Sequence, residues 1–303
     1  MATNLNVNIA GVEWKNPVTT SSGTFGFGKE YAEYFDISRL GAVTVKSVSI
    51  EKKLGNASPR VAECASGMLN SVGLQNPGVD FFMNYELPEL RKLDTKIVVN
   101  VAGNTIDEYV AVVEKLGDSV DMLELNISCP NVKVGGMAFG VDEKSAFEAT
   151  EAVKKVAKVP LIVKLSPNVT DISAIAKAVE DGGADAVSLI NTLLGMRIDI
   201  NKRRPILANN FGGMSGPAVK PVAVRMVYQV AQKVKIPVIG MGGVSSGADA
   251  IEFMLAGASA VAVGTAGFVD PYAWVRIIAE IEEYLVKNNI DDVNSIVGKL
   301  EMN

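Results

Sequence analysis

Histidine is absent from the 303-residue sequence. The side chain that most often carries protons near neutral pH is therefore unavailable, and any acid–base chemistry falls to another group. Cysteine is almost absent too. Cys64 and Cys129 are the two, too few for a disulfide framework and suited to a reducing compartment. They are also too few for a self-contained iron–sulfur cluster, which normally takes about four thiolates. No apolar run approaches the roughly 18 residues of a membrane span. The opening "MATNLNVNIAGVEWKNP" lacks the basic region and apolar core of a signal peptide, so a soluble, cytoplasmic protein with no membrane association is expected. Basic residues are not in excess: the net charge of −5 argues against a nucleic-acid partner. No G-x-G-x-x-G stretch occurs, so a Rossmann-type dinucleotide site is not supported.

What the sequence does hold is a core. Hydrophobic residues make up 48% and charged residues 21%, a globular balance with no polar low-complexity tract. Eight short, β-branched, nearly all-apolar runs recur: 17–22, 42–47, 97–103, 122–128, 161–167, 186–191, 237–243 and 260–265. Continuous hydrophobicity of this kind marks strands covered on both faces of a parallel sheet. Amphipathic segments of helical period lie between the later runs, over 105–117, 144–158, 171–183, 221–234 and 247–257. Gly182, Gly183 and Gly257 stand where helix stops are expected. The alternation predicts a (β/α)8 TIM barrel over residues 1–303 as a single domain, with an open doubly wound sheet as the alternative. A hairpin turning at Gly11 is expected to plug the barrel's bottom. Two connections, 48–96 and 192–236, are long enough to be functional lids or binding loops.

Active sites of such barrels form at the C-terminal ends of the strands. Those ends carry Ser22 and Gly23; Lys46 and Ser47; Asn100; Asn126, Ser128 and Cys129; Lys164; Asn191 and Thr192; and two glycine turns, 240–243 and 264–265. Gly242, Gly243, Gly264 and Thr265 follow the last two strands. Exposed backbone N–H groups in those positions make a phosphate cradle, although tight βα turns alone would also use glycine. Lys46 and Lys164 interrupt apolar strands, where a lysine is seldom buried without a partner. Each either snorkels to the rim or meets an anion, such as a phosphorylated flavin. Cys129 follows a strand and opens a glycine-rich loop between Asn126 and Asn131, a better setting for chemistry than that of Cys64 in "AECASG". The basic run "NKRRP" (201–205) is read as a solvated loop edge.

The segments "GMLNSVGLQNPG", "NISCPNVKVGGMAFG", "VKLSPNVTDI", "INTLLGMR", "GGMSGPAVKP" and "GMGGVSSGADAIEFMLAGASAVAVGTA" together resemble the dihydroorotate dehydrogenases, over about Val12 to Pro271. "GLQNPG" and "NVKVGGMAFG" are most similar to the class 1B, NAD-linked catalytic subunits. The resemblance implies a barrel that holds FMN and oxidises dihydroorotate to orotate in pyrimidine synthesis, with Cys129 as the catalytic base. It implies flavin contacts from Ser22, Lys46, Ser47, Asn100, Asn126, Lys164, Ile190, Gly216, Gly242, Gly243, Gly264 and Thr265. Substrate contacts would come from Lys46, Asn70, Val72, Gly73, Leu74, Asn126, Asn131, Asn191 and Thr192. It further implies an electron-transfer subunit carrying FAD and a [2Fe–2S] cluster, with a homodimeric core in a heterotetramer. A self-sufficient, fumarate-using dehydrogenase is the nearest rival; a colourless sugar-phosphate barrel is a more distant one. The loop from Pro130 to Val141 is expected to close over substrate. A free thiol titrates near about 8.5, so activity through Cys129 should rise into the alkaline range.

Overall fold

The computed structural model describes residues 3–127 and 139–303. Its centre is an eight-stranded parallel sheet whose strands are β3 (Val18–Thr20), β4 (Ala42–Val48), β7 (Lys96–Val101), β8 (Met122–Asn126), β9 (Leu161–Lys164), β10 (Ala186–Leu189), β15 (Val238–Met241) and β16 (Ala260–Val263). Their spatial order is β3-β16-β15-β10-β9-β8-β7-β4, so the chain winds steadily around one axis as a barrel requires. Nearly every strand residue is buried, as expected of strands packed on both faces.

β3 and β4, the ends of that order, close the ring without a backbone ladder. The buried Thr20 hydroxyl donates to the Thr44 carbonyl at 2.8 Å and accepts the Thr44 N–H at 2.9 Å. Gly41 N–H adds one bond to the Val18 carbonyl at 3.1 Å. A single β-branched side chain thus stands in for the missing strand-to-strand bonds.

Helices Ile106–Leu116, Glu143–Val156, Ile172–Asp181, Lys220–Ala231, Gly247–Leu255 and Ala273–Lys287 cover the sheet. Four begin on side-chain caps: Thr105 accepts from Glu108 N–H, Asp142 from Ser145, Asp171 from Ser173 and Ser246 from Asp249. The last helix was not anticipated from the sequence. It buries Trp274, which packs on Phe25, Tyr31 and Phe35 and donates from Nε1 to the Val263 carbonyl at 3.2 Å. A Cβ on Gly267 would stand 2.0 Å from that indole, so only glycine lets the turn after β16 lie against it.

The expected hairpin is β1 (Val7–Ile9) with β2 (Val12–Trp14). Val7, Ile9 and Trp14 are buried in the main core. Asn16, just beyond, bonds Val18, Arg39 and Gly41 at the N-terminal ends of β3 and β4, as a hairpin across the barrel's bottom would.

The two long connections meet. The first carries β5 (Val61–Cys64) and β6 (Gly67–Asn70). The second carries β11 (Leu193–Gly195), β12 (Ile198–Asp199), β13 (Arg204–Pro205) and β14 (Gly212–Ser215). They join as one antiparallel sheet, β11-β14-β6-β5, on the C-terminal side of the barrel. Residues 201–204 form the exposed tip of the β12–β13 hairpin, in line with the loop-edge reading.

Replacing Thr20 with Val should leave a buried N–H and a buried carbonyl of Thr44 unpaired. Urea unfolding should report a loss of about 2–4 kcal/mol, with no change in helix content by circular dichroism.

Candidate active site

A cavity of about 380 Å³ opens between the C-terminal ends of the barrel strands and the antiparallel sheet. The barrel supplies Ser22, Lys46, Ser47, Asn126, Lys164, Ile190, Asn191, Gly242, Gly243, Gly264 and Thr265 to its wall. The insertions supply Asn70, Val72, Gly73, Leu74, Thr192 and Gly216. Of the described residues that the family resemblance assigns to flavin or substrate, all but Asn100 lie on the wall. Cys129 and Asn131 fall outside the described residues, as does most of the Pro130–Val141 loop. Cys64 sits half-buried on β5, away from the cavity.

Lys46 and Ser47 are consecutive yet both face the cavity, which a regular strand forbids because side chains alternate. The register of β4 against β7 shifts between Val45 and Val48, and this irregularity turns both residues inward.

Behind the wall lies a layer of polar side chains drawn from five adjacent strands. Ser47 Oγ donates to Asn100 Oδ1, and Asn100 Nδ2 donates to Glu124 Oε2. Ser188 Oγ donates to Glu124 Oε1 at 2.8 Å. Lys164 Nζ stands 3.9 Å from Glu124 Oε2. Lys164 is 6% exposed and Glu124 3%. Lys164 therefore does not snorkel to the rim; it is buried against a counter-charge. Asn100 is fully buried and braces Ser47 from behind. Sequence reasoning passed over Glu124. The signal was there: an acid in "MLELN" is as foreign to a doubly covered strand as the lysines in "VTVKS" and "IVKLS".

The opposite end of the cavity is walled by glycine turns. Among the described residues, no backbone carbonyl takes the N–H groups of Gly242, Gly243 or Gly264. Gly243 has φ +84°, and a Cβ there would stand 2.8 Å from Lys220 Cβ and 3.0 Å from the Gly216 carbonyl. Only glycine allows that approach. Thr265 Oγ1 donates to Ser215 Oγ at 2.8 Å, tying the turn after β16 to β14. Arg276 also reaches the cavity and was not anticipated. It is held by Asp270 at 3.0 Å, Glu280 at 2.9 Å and the Ser245 carbonyl at 3.2 Å.

A second network sits behind the glycine turns. Lys220 Nζ bonds Asp249 at 2.7 Å and Glu252 at 2.6 Å, and Asp249 also accepts from Ser245 N–H at 2.9 Å and Ser245 Oγ at 2.8 Å. Burial alone would raise the Asp249 carboxyl. The bonds from Lys220, Ser245 and Ser246 outweigh it and hold the carboxyl below its ordinary value. No group of three or more acids or cysteines among the described residues is arranged to hold a metal ion.

A family model for dihydroorotate dehydrogenase matches residues 4–285. The chain belongs to the dihydroorotate dehydrogenase family. Its members are oxidoreductases, so the chain is an enzyme. It is 64% identical over 298 residues to the "dihydroorotate dehydrogenase B (NAD(+)), catalytic subunit" of Alkaliphilus metalliredigens, covering 98% of this chain and 99% of that one. The subunit of the same name from Lachnoclostridium phytofermentans is 60% identical over 296 residues, covering 97% and 99%. That from Thermoanaerobacter pseudethanolicus is 56% identical over 300 residues, covering 99% of each. Among solved structures, the ferulenol complex of the Eimeria tenella enzyme superposes with a TM-score of 0.80 at 23% identity, covering 98% of this chain and 88% of that one. At that identity the likeness bears on the fold alone, and it agrees with a TIM barrel. No helix among the described residues is long and apolar enough to cross a membrane.

Because the Asp249 carboxyl is held low in the folded state, its stabilisation is full above the ordinary carboxylate range. It is lost as pH falls through the folded value. Asp249→Asn should cost about 1–3 kcal/mol at neutral pH. The gap between variant and parent, followed by thermal melts from pH 7 downward, should narrow below about pH 4.

Proposed function

We propose that the chain oxidises (S)-dihydroorotate to orotate in de novo pyrimidine synthesis, using FMN held in the barrel cavity. The observation that carries this reading is the convergence of an anion cradle, a buried lysine and a row of asparagines on one cavity, in a chain closely similar to named catalytic subunits of this activity.

The residues present suit the cofactor. The free N–H groups at Gly242, Gly243 and Gly264 match a phosphate monoester, and the glycine surfaces leave room for its oxygens. FMN, when bound, supplies the acceptor for the hydride that leaves the substrate. Lys164, forward of Glu124, offers an ammonium to negative charge that develops during reduction. Asn70, Asn126, Asn191 and Asn131 bind and orient the carboxylate and ring amides of the substrate. Lys46, on the same wall, serves the substrate as well as the flavin. Cys129 takes the proton from the carbon next to the hydride donor onto its sulfur. With no histidine and no third cysteine in the sequence, Cys129 suits the task of base and the chain has no means of holding an iron–sulfur cluster.

The electrons then pass to a second subunit carrying FAD and [2Fe–2S] and on to NAD+, with two copies of the present chain at the core of a heterotetramer. The relatives' names, which specify NAD(+) and a catalytic subunit, support this route. We read the enzyme as cytoplasmic and residues 1–303 as one functional domain.

Anaerobic titration of the yellow holoprotein with dihydroorotate tests the reading: the flavin band should bleach stoichiometrically, and a band that stays unchanged would remove dihydroorotate as substrate. Cys129→Ala should slow that bleaching by about 10²–10⁴-fold while FMN stays bound; an unchanged stopped-flow rate would take Cys129 out of the mechanism. Gly243→Ala should lower FMN retention on gel filtration by at least about tenfold, because the new methyl crowds Lys220 and the Gly216 carbonyl.

A further inference from the structure

We infer that Glu124 is a positioning residue of this site: its carboxylate sets where Lys164 and Ser47 stand and fixes the net charge that a bound flavin meets. The inference rests on the flavin reading above. Two carboxylates are buried among the described residues, Glu86 and Glu124. Glu86 pairs with the exposed Lys29, outside the barrel. Glu124 alone stands on a barrel strand, with its side chain in the interior.

Three observations argue that it serves the site rather than the fold. First, burying a carboxylate and an ammonium in a barrel core is costly, and an apolar pair of similar volume is often as stable or more so. Packing gives no reason for the charges. Second, the ion pair is slack. At 3.9 Å it exceeds the roughly 2.7–2.9 Å of a charge-assisted hydrogen bond. Ser188 and Asn100 already take the Glu124 oxygens. The ammonium is therefore steadied, not saturated, and keeps N–H groups for a ligand. Third, the arrangement has a direction. Lys164 and Ser47 line the cavity, while Glu124, Asn100 and Ser188 do not. The carboxylate lies behind the groups that touch a ligand and acts through them on both sides: through space on Lys164, and through Asn100 on the Ser47 hydroxyl.

The other charged groups on the cavity wall are Lys46 on β4 and, beside the glycine turns, Asp270 and Arg276, which pair with each other. Strands β3, β10, β15 and β16 bring no charge to it, and Lys96 of β7 sits at the far end of its strand. Glu124 is the buried negative charge beside Lys164. Neutralising it leaves the floor more positive, which favours the reduced, anionic form of a flavin over the oxidised, neutral one.

The test is a redox titration of the FMN-loaded chain against a reference dye. In Glu124→Gln the two-electron equilibrium should move at least tenfold toward the reduced flavin, a rise of about 30 mV in midpoint potential. Glu124→Asp, which keeps the charge, should stay within about threefold of the parent. A merely structural role would move neither the isosteric Gln variant nor the sign of the potential in this way. An unchanged or lowered potential in the Gln variant, or an equal shift in the Asp variant, overturns the inference. If Glu124→Gln alone yields no folded protein, the double variant Lys164→Gln/Glu124→Gln decides. Its recovery as a folded, FMN-binding chain is expected, because no unpaired charge remains; its failure to fold overturns the inference by making Glu124 structural. If the parent chain takes up no FMN, both this inference and the flavin reading fall. If it takes up FMN and only the potential refuses to move, this inference falls alone.

Discussion

A charge inside a parallel barrel has to be answered by another charge or by a complete set of hydrogen bonds. Much of this molecule follows from how Lys164 is answered. Lys164 ends β9 and is almost wholly buried, so β8 supplies Glu124, and Glu124 in turn needs partners for both oxygens. Ser188 and Asn100 provide them from the strands on either side. Asn100 then has a carbonyl to satisfy, which Ser47 does. One buried ammonium thus accounts for polar residues on five neighbouring strands that would otherwise be Val, Ile or Leu.

The same logic explains where the cavity stops being apolar. On the lysine side the wall is made of side chains with protons to give. On the glycine side it is made of backbone N–H groups, exposed because no Cβ stands in front of them. The two kinds of donor are separated by the width of the barrel mouth. A ligand with a phosphate at one end and a polarisable ring at the other suits such a division. Trp274 does not line the cavity, but its indole bonds the Val263 carbonyl and holds the end of β16, next to Gly264 and Thr265, against an aromatic cluster formed with the last helix.

The barrel strands were legible because burial on both faces leaves runs with no polar alternation, and all eight were found. Their ends were drawn too far: "SS" after Thr20 and "SP" after Leu165 continue the chemistry of the site but leave the ladder. The antiparallel strands of the insertions were illegible. They are two to four residues long; β5–β6, β11–β14 and β12–β13 pair within an insertion and β6–β14 across the two, none with a stretch long enough to show a periodicity of its own. The last helix carries an amphipathic pattern of its own, with Trp274, Ile277, Ile281 and Leu285 buried. In the site, the lysines stood out as misfits in apolar runs and the glycine turns by position. Glu124 carried the same signal with the opposite sign, and taking the misfits as a pair would have found it. Asn100 came from the family resemblance as a flavin contact; it stands one layer back, where no sequence pattern distinguishes a ligand contact from the residue that braces one.

The roof over the cavity has an implication for how the protein is made. β6 pairs with β14 through Asn70 and Gly213, Leu69 and Met214, and Met68 and Ser215. A ribosome delivers those partners more than a hundred residues apart, so the β5–β6 hairpin of the early insertion waits for β14 until most of the barrel has emerged. A chain truncated before β14 would carry the lysines and the serine of the floor but neither cradle nor roof. The cavity between the strand ends and that sheet is then one of the last features of the nascent chain to be completed.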